Sequence, residues 1–450
     1  MPRCLFVFVL LLLSVPAWAR PQAADASRPN VVLIMTDDLG WADLGSYGAQ
    51  DISTPNLDRL AREGVRFTDF YANGPLCTPT RAALMTGRYQ QRYGLDLAIP
   101  GPGSPGAELG LPADGRSLPK RLGDAGYATA LVGKWHLGYK PEFSPNAHGF
   151  DYFFGLKGGF HDYYHHYDAY QRPDLWENDR PVRQEGYSTD LITARAVGFI
   201  EKHAGRPFFI DVAYNAPHWP FQRPDAPEAA ADNAHPQRAD GSLAGTRTDY
   251  AAMVERMDRG VGELLHALDR LGIAGNTLVI FTNDNGGEWL SSSAPLFHRK
   301  WTLWEGGIRV PTILRWPGRI APGQVSAQVG ITMDLTATIL EAAGAPAPAD
   351  PHLDGIDWIP VLAGREPPVE RLLFWRTHTR NRPQTAVRDG DWKLLVDGHQ
   401  AFLFNVRADP GERNDLAYRY PAIMERLRRA HAEWVKTVDS EAARNGALRP

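Results

Sequence analysis

The amino-acid sequence predicts an α/β fold, with a large, mostly parallel sheet sandwiched between helices and a smaller C-terminal α+β domain that carries an antiparallel sheet. Several short runs of consecutive apolar residues are typical of strands buried on both faces. Amphipathic helical segments lie between these runs, as in an α/β fold. After a Pro/Ala-rich stretch at residues 343–351 the pattern changes to short β-rich runs. The 450 residues exceed the roughly 250–300 at which one core stops growing, so two unequal domains are expected.

Four apolar runs are predicted strands, and polar side chains able to do chemistry follow each of them. The runs are residues 31–35, 128–132, 208–213 and 277–281, and the polar groups after them are Asp37-Asp38, Lys134-Trp135-His136, His218 and Asn283-Asp284-Asn285-Gly286. In parallel sheets, ligands bind at the carboxyl ends of the strands. The four groups are therefore expected to form one site.

Helices and a meander complete the predicted fold. Thr54-Pro55 begins a helix that ends at Gly64, and residues 250–271 have the spacing of a long amphipathic helix. Runs at 372–377, 385–388, 392–396 and 402–406 predict an antiparallel meander, and a helix from about 422 to 438 follows it. The predicted division is residues 20–365 for the large domain and 366–450 for the small one.

The first residues have the composition of a targeting segment. A basic start at Arg3, an apolar run at 5–15 and Ala17-Trp18-Ala19 predict a secretory signal peptide, residues 1–19, cleaved after Ala19. No later stretch is apolar enough to cross a bilayer, so membrane insertion is not expected. The chain has no Asn-x-Ser/Thr acceptor, which favours the bacterial periplasm over a eukaryotic secretory compartment.

Charge and composition limit the partners. Charged residues make up 22% and apolar residues 43% of the chain, as in ordinary soluble globular proteins. The net charge of -4 is spread without long runs of one sign, so a basic face for nucleic acid is not expected. An anionic substrate must therefore meet a local pocket.

Cys77 has no partner cysteine once Cys4 leaves with the signal peptide. In an exported protein such a residue is a free thiol, an intermolecular bridge or a chemically special group. It stands just before a predicted helix, in Cys77-Thr78-Pro79-Thr80-Arg81, with proline in the first turn and Arg81 one turn later on the same face. A helix N-terminus with a nearby guanidinium favours an anion, which indicates an anion-directed nucleophile.

Cys-x-Pro-x-Arg is the modification signature of type I sulfatases, and Gly87-Arg88 supplies the second half of that signature. From Arg28 to its end the chain resembles this family of the alkaline phosphatase superfamily, and in particular the arylsulfatase A and N-acetylgalactosamine-6-sulfatase group. The resemblance implies that residues 20–365 are the catalytic domain and that a formylglycine-generating maturation enzyme oxidises Cys77. One hydroxyl of the hydrated aldehyde then attacks sulfur and the other expels sulfate. The implied substrate is a small-molecule or saccharide sulfate ester.

Four oxygen-bearing residues match the metal ligands of the family, beside Cys77 itself: Asp37, Asp38, Asp284 and Asn285. Two adjacent carboxylates cannot both ionise in a pocket without a cation. An all-oxygen set of Asp and Asn suits a hard ion with flexible geometry, calcium above magnesium. The resemblance therefore implies one bound Ca²⁺.

The remaining catalytic positions of the family are matched by Lys134, His136, His218 and Lys300, in addition to Cys77 and Arg81. Trp301 stands where glycine is common, which leaves neighbouring Arg299 as an alternative to Lys300. His218 and Lys300 are both candidates for the general acid, whereas His136 is expected to take a proton from the diol. Three aspartates, one Ca²⁺ and three cationic side chains leave a net charge of +2, which suits a sulfate monoester.

Several further groups have less specific patterns. The run from His161 to His166 is interpreted as a solvated loop, with a transition-metal site or a substrate-binding loop as alternatives. Sugar stacking and core packing are equal alternatives for Trp219, Trp289 and Tyr214. The turn at Asp409-Pro410, with Glu412, Asn414, Leu416 and Ala417, resembles one in the family and is expected to be structural.

Two other functions remain open on the sequence. The chain is alternatively a phosphate or phosphonate hydrolase of the same superfamily, although formylglycine phosphonate hydrolases usually carry histidine where Asn285 stands. It is alternatively an inactive protein that captures sulfated glycans with unmodified Cys77. The sequence does not identify the alcohol half of the substrate or the oligomeric state.

Overall fold

The computed structural model describes residues 28–226, 244–345, 353–379 and 382–445. The predicted signal peptide lies outside the described residues. The strands are β1 (Asn30–Thr36), β2 (Val65–Phe67), β3 (Phe70–Tyr71), β4 (Ala128–Lys134), β5 (Tyr152–Leu156), β6 (Trp176–Glu177), β7 (Arg180–Pro181), β8 (Phe208–Ala213), β9 (Thr277–Asn283), β10 (Thr312–Arg315), β11 (Gln324–Ser326), β12 (Gly330–Ile331), β13 (Leu372–Thr377), β14 (Gln384–Asp389), β15 (Trp392–Asp397) and β16 (Gln400–Asn405).

The helices of the described residues alternate with these strands. They are α1 (Pro55–Glu63), α2 (Cys77–Thr86), α3 (Leu118–Asp124), α4 (Ser188–His203), α5 (Arg247–Arg270), α6 (Glu305–Ile308), α7 (Thr332–Ala342), α8 (Ile359–Leu362) and α9 (Pro421–Arg444). Of the helices in the described ranges, none combines the length and apolar character needed to span a membrane.

The large sheet has the strand order β11-β2-β10-β9-β1-β8-β4-β5-β6-β7. Its centre, from β9 to β5, is parallel throughout. Antiparallel pairs flank that centre, with β10 against β9 on one side and β6 against β5 on the other. The predicted α/β fold class is confirmed, and the four strands predicted to end in polar groups are neighbours.

The central strands lack polar alternation because both faces of the sheet are covered. Every residue of β1, β4, β8 and β9 is buried. Val32 and Ile34 pack in one core with residues of α1, α4 and α5, and Val31, Leu33 and Met35 pack in a second core with residues of α2, α3 and α7. Successive side chains of one strand thus enter different cores.

Two helices differ in length from their predicted spans. The helix α5 begins at Arg247, because Thr246 and Asp249 form a capping box upstream of the apolar pattern. The helix α9 continues to Arg444, about six residues beyond the predicted end at 438. Glu441 in this added part accepts hydrogen bonds from Arg88 and Arg92, so a distant contact stabilises the extra turns.

The strands β13 to β16 form the predicted antiparallel meander. Side chains of this meander share one hydrophobic cluster with residues from other parts of the chain. The cluster includes Tyr71, Trp304, Trp375, Phe404 and Trp434. Trp375 donates its indole N–H to the carbonyl oxygen of Ala72 at 2.8 Å. The small sheet is therefore in direct contact with the segment that leads to Cys77.

Candidate active site

The ends of β1 and β9 bring two acidic groups together. These strands pair in register up to Thr36 and Asn283, so the residues that follow leave the sheet side by side. The Thr36 hydroxyl donates to Asn283 Oδ1 at 2.7 Å, and Asn283 Nδ2 donates to the Leu39 carbonyl at 3.0 Å. Asn283 therefore fixes the loop that carries Asp37 and Asp38 against the start of the loop that carries Asp284.

Cys77 is the first residue of α2, a helix buried along its whole length. Its Sγ lies 3.5 Å from Asp37 Oδ1 and 3.6 Å from Lys300 Nζ. Burial, reinforced by the nearby Asp284 carboxylate, raises the pKa of the Cys77 thiol far above its usual range. The unmodified side chain is therefore a neutral thiol, which is a poor nucleophile.

Arg81 lies one helical turn after Cys77, as its spacing predicts. Its guanidinium donates to Asp284 Oδ2 at 2.9 Å and to the Lys134 carbonyl at 3.2 Å, and the structure shows no hydrogen bond from it to the sulfur. Arg81 thereby links the N-terminal turn of α2 to the ends of both β9 and β4.

Each carboxylate of the cluster pairs with a different cation: Asp37 with Lys134 at 2.6 Å, Asp38 with Lys300 at 2.7 Å, and Asp284 with Arg81 at 2.9 Å. Although burial acts to raise it, Lys134 and His218 hold the pKa of Asp37 below its usual range. The three pairs cancel in charge. A divalent cation added to them would leave the net charge of +2 expected from the sequence.

The donor set could hold a metal ion. One ligand atom each from Asp37, Asp38, Cys77 and Asp284 lies within 4.8 Å of the others. The amide of Asn285 adjoins them, since its Nδ2 donates to Asp38 Oδ1 at 2.7 Å, and its buried Oδ1 has no hydrogen-bond partner among the described residues. A buried oxygen without a partner is costly, and a hard cation is the partner that a set of oxygen ligands prefers.

His136 follows β4 with a left-handed φ of 56°. Its Nε2 lies 2.9 Å from the Ile99 carbonyl, so this nitrogen carries the hydrogen and Nδ1 keeps its lone pair. Nδ1 is buried without a partner in the described part of the chain. Burial and the charge of Lys134 lower the pKa of His136 well below its usual range. His136 is therefore a neutral ring with one bare acceptor.

His218 approaches the cluster from the loop after β8. Its Nδ1 lies 2.5 Å from the Trp219 carbonyl and its Nε2 lies 3.4 Å from Asp38 Oδ2. The ring stacks on Phe160 with centroids 5.4 Å apart. These contacts hold His218 on the wall of the site.

Lys300 lies in the cluster and Arg299 does not. Arg299 is exposed and places its guanidinium 5.1 Å from the Trp289 ring centroid. Burial alone would lower the pKa of Lys300, but the Asp38 carboxylate raises it well above its usual range. Lys300 is thus a charged ammonium beside the Cys77 sulfur.

A cavity of about 250 Å³ lies above these groups and is lined by Cys77, His136, His218 and Lys300. Aromatic side chains complete its wall, among them Phe160, Tyr170, Trp219 and Trp301. Trp219 therefore lies on the cavity wall, packed against Phe160 and His218. Tyr214 is fully buried and its hydroxyl lies 2.8 Å from Thr193 Oγ1, so it belongs to the core.

Glu288 is a cavity residue that the sequence reasoning missed. It is buried, and its Oε2 lies 3.8 Å from Lys300 Nζ. Burial raises the pKa of Glu288. Its position three residues after Asn285, in the segment that follows β9, is the sequence signal that could have identified it.

The interpretation of residues 161–166 as a solvated loop is wrong. His161, Tyr163 and His166 are buried. Both ring nitrogens of His161 are engaged, with the Asp174 carbonyl at 2.9 Å and Ser188 Oγ at 2.7 Å. The Tyr163 hydroxyl lies 2.9 Å from the His218 carbonyl, so the segment supports the His218 loop.

Comparison with known proteins agrees with this geometry. The family model described as Sulfatase matches residues 29–345, well over half of the chain. The chain belongs to the sulfatase family. It is a sulfuric ester hydrolase, and a second model, described as N-sulphoglucosamine sulphohydrolase, C-terminal, matches residues 295–437 of this sulfatase.

Named relatives are similar over most of the sulfatase. N-acetylgalactosamine-6-sulfatase of Mus musculus is 38% identical, over 93% of this chain and 88% of the relative. Arylsulfatase A of Bos taurus is 35% identical, over 93% of this chain and 85% of the relative. The crystal structure of Ps i-CgsB in complex with k-i-k-neocarrahexaose is 35% identical with a TM-score of 0.81, over 90% of this chain and 92% of that one.

Proposed function

We propose that this sulfatase hydrolyses the sulfate monoester of a sugar with one calcium ion held by Asp37, Asp38, Asp284 and Asn285, and with Cys77 converted to formylglycine. The observation that carries the proposal is the convergence of carboxylate oxygens and the Cys77 sulfur within 4.8 Å of one another. The unpaired Asn285 oxygen beside them supports the same ion.

Calcium and formylglycine would supply what the unmodified chain lacks, a cation that neutralises the sulfate and an oxygen nucleophile in place of a thiol. The chain itself supplies three fixed cations, Arg81, Lys134 and Lys300, each paired with a carboxylate in the cluster. Such preorganised charges stabilise the negative charge that shifts in ester cleavage without reorganising at the moment of reaction.

Three candidate proton carriers in different environments support a division of acid and base roles. His136 presents a bare Nδ1 and a depressed pKa, which suits a group that accepts a proton. His218 and the charged Lys300 line the same cavity and are the candidates to protonate the departing alcohol. This assignment retains both candidates for the general acid.

A sugar as the alcohol half is supported by the relatives and by the cavity. One relative is named N-acetylgalactosamine-6-sulfatase, and one similar structure is a complex with k-i-k-neocarrahexaose. Aromatic side chains line the cavity of about 250 Å³, which is a small space that suits a single sugar unit. Aromatic faces offer the apolar surface on which sugar rings stack.

We also infer export and enzymatic maturation. The basic start, the apolar run at 5–15 and the Ala17-Trp18-Ala19 site support cleavage of residues 1–19 and a periplasmic location. Cys77 is 3% exposed in a fully buried helix, so a maturation enzyme must reach this segment before it folds.

Mass spectrometry and paired assays test the proposal. The peptide that contains residue 77, taken from active protein, should carry formylglycine, and sulfate release from nitrophenyl sulfate and from sulfated sugars should exceed phosphate release from nitrophenyl phosphate. A preference for the phosphate ester would favour the phosphate hydrolase. Unmodified Cys77 with glycan binding and no turnover would favour the inactive binding protein.

A further inference from the structure

Trp301 has a backbone conformation that disfavours its side chain. Its φ is 80°, in the left-handed region where every residue except glycine is crowded by its own Cβ. The Trp301 N–H donates to the Pro75 carbonyl at 3.0 Å, which ties this turn to the segment just before Cys77. Strained positions of this kind persist where the surroundings over-determine them, and they cluster at functional sites.

The side chain of Trp301 faces the active-site cavity. Its indole N–H donates to Glu288 Oε1, and the Lys300 ammonium lies 5.6 Å from the ring centroid. Trp301 is half-buried on the wall of that cavity.

We propose that Trp301 is a specificity-determining residue, whose indole ring stacks on the sugar ring that carries the sulfate. The proposal rests on the sugar sulfatase function proposed above. Glu288 fixes the ring through its N–H and the backbone bond to Pro75 fixes the turn, so the aromatic face is preorganised and little conformational freedom is lost when a sugar binds.

Trp289 offers a matched control in the same stretch of chain. It is also half-buried with a left-handed φ, of 47°, and its ring lies under the Arg299 guanidinium. Its side chain is not part of the wall of the cavity. A glycine at 289 removes an indole from a comparable backbone without removing a surface from the site.

The test compares three variants, Trp301→Gly, Trp301→Phe and Trp289→Gly, in holoenzyme whose residue 77 has been checked by mass spectrometry. The substrate is the best one in a panel of singly sulfated hexoses and hexosamines, and inorganic sulfate serves as an inhibitor without a ring. We expect Trp301→Gly to raise KM about tenfold, which corresponds to ~1.4 kcal/mol. The inhibition constant of sulfate and the melting temperature should not worsen, since glycine relieves the backbone.

Trp301→Phe should retain a KM close to that of the parent enzyme, because it keeps an aromatic face, and Trp289→Gly should leave KM unchanged. An unchanged KM in Trp301→Gly would overturn the inference. So would an equal loss for sulfate and sugar, which would mean that Trp301 acts through Lys300, or an equal effect of Trp289→Gly, which would mean loop packing. If the parent enzyme released sulfate from no sugar in the panel, the proposed function itself would fail, and this inference with it.

Discussion

This sulfatase has two clusters of charged side chains that are similarly buried but differ in their expected roles, one in catalysis and the other in stability. In the active site, three carboxylates and three cations surround Cys77. In the second, the Lys393 cluster, the ammonium of Lys393 lies 2.9 Å from Glu305 and 2.8 Å from Glu412, and all three side chains are fully buried. Against the effect of burial, Lys393 and Arg309 lower the pKa of Glu305, whereas burial raises that of Glu412.

The difference lies in where the charges point. The Lys393 cluster joins α6 to β15 and to the turn at Glu412, whose carboxylate accepts from the Glu305 N–H at 2.6 Å. The active-site cluster opens onto the cavity and leaves Asn285 Oδ1 without a hydrogen-bond partner among the described residues. Within the described residues, only the active-site group brings acidic and sulfur ligand atoms to one point. Buried charged residues therefore indicate a functional site when their potential metal-ligand atoms converge beside a cavity.

Substitution at Cys77 should give the largest functional effect. We expect Cys77→Ala to lower sulfate release by about 10³-fold or more, because no other side chain can supply the nucleophile. Melting temperature should change little, since a single sulfur is removed from the edge of the core. Assays of sulfate release and thermal unfolding measure both. Full activity of the variant would disprove the proposed nucleophile.

Removal of the cavity histidine should depend on the leaving group. We expect His218→Ala to lose about 10²–10⁴-fold in kcat on a sugar sulfate, whose alkoxide must be protonated, and far less on nitrophenyl sulfate. The two substrates are compared on the same preparation. An equal loss on both would assign the general acid to Lys300.

Substitution in the Lys393 cluster should act on stability instead. We expect Lys393→Met to lower the free energy of unfolding by about 3–5 kcal/mol, because it leaves the buried Glu412 carboxylate without its cation and Glu305 with Arg309 alone. Denaturant titration measures the loss, and KM of the folded fraction should stay unchanged. Adding Glu412→Gln in the same chain should recover part of the stability. If KM rose as much as it does in active-site variants, the assignment of the Lys393 cluster to stability alone would be wrong.

Chelation should affect the active-site cluster alone. Removing calcium should stop turnover and lower the free energy of unfolding by about 2.7 kcal/mol, if free calcium had been 100 times its dissociation constant. Calorimetry with and without added Ca²⁺ measures the shift, which should persist in a Glu412→Gln variant. Retention of activity without metal, or the recovery of two zinc ions, would contradict the proposed ion.

Asp211 on β8 is a buried acid that belongs to neither the active-site cluster nor the Lys393 cluster. One carboxylate oxygen has no hydrogen-bond partner among the described residues, and burial raises its pKa to about 7 even though Arg81 opposes the shift. The unfolded chain loses this proton near pH ~4. The folded state holds it more tightly, so the contribution of Asp211 to stability is full below that pH and declines as the pH rises to 7.

We therefore expect Asp211→Asn to raise the free energy of unfolding at pH 8 by about 1–3 kcal/mol and to change it little at pH 4. Thermal unfolding across this pH range measures the difference. A variant whose stability parallels that of the parent at every pH would show that Asp211 is ionised in the folded state.

Local patterns in the sequence were sufficient to predict the strands that carry the active-site residues. The runs before Asp37, Lys134, His218 and Asp284 are apolar and β-rich, and such signals depend only on neighbouring residues. The spacing from Cys77 to Arg81 likewise predicts one helix face, which the structure shows. The family signature identified the chemistry for the same reason, because it lies within a few residues.

Only the tertiary structure decided the features that join distant parts of the chain. The burial of His161 and Tyr163 depends on hydrogen-bond partners at Asp174, Ser188 and His218. The length of α9 depends on Arg88 and Arg92. Glu288 and Trp301 meet across a loop at the cavity, and the strain at Trp301 is tolerated because Pro75 and Glu288 hold it. Contacts between residues far apart in sequence have no local pattern, so neither composition nor spacing reveals them.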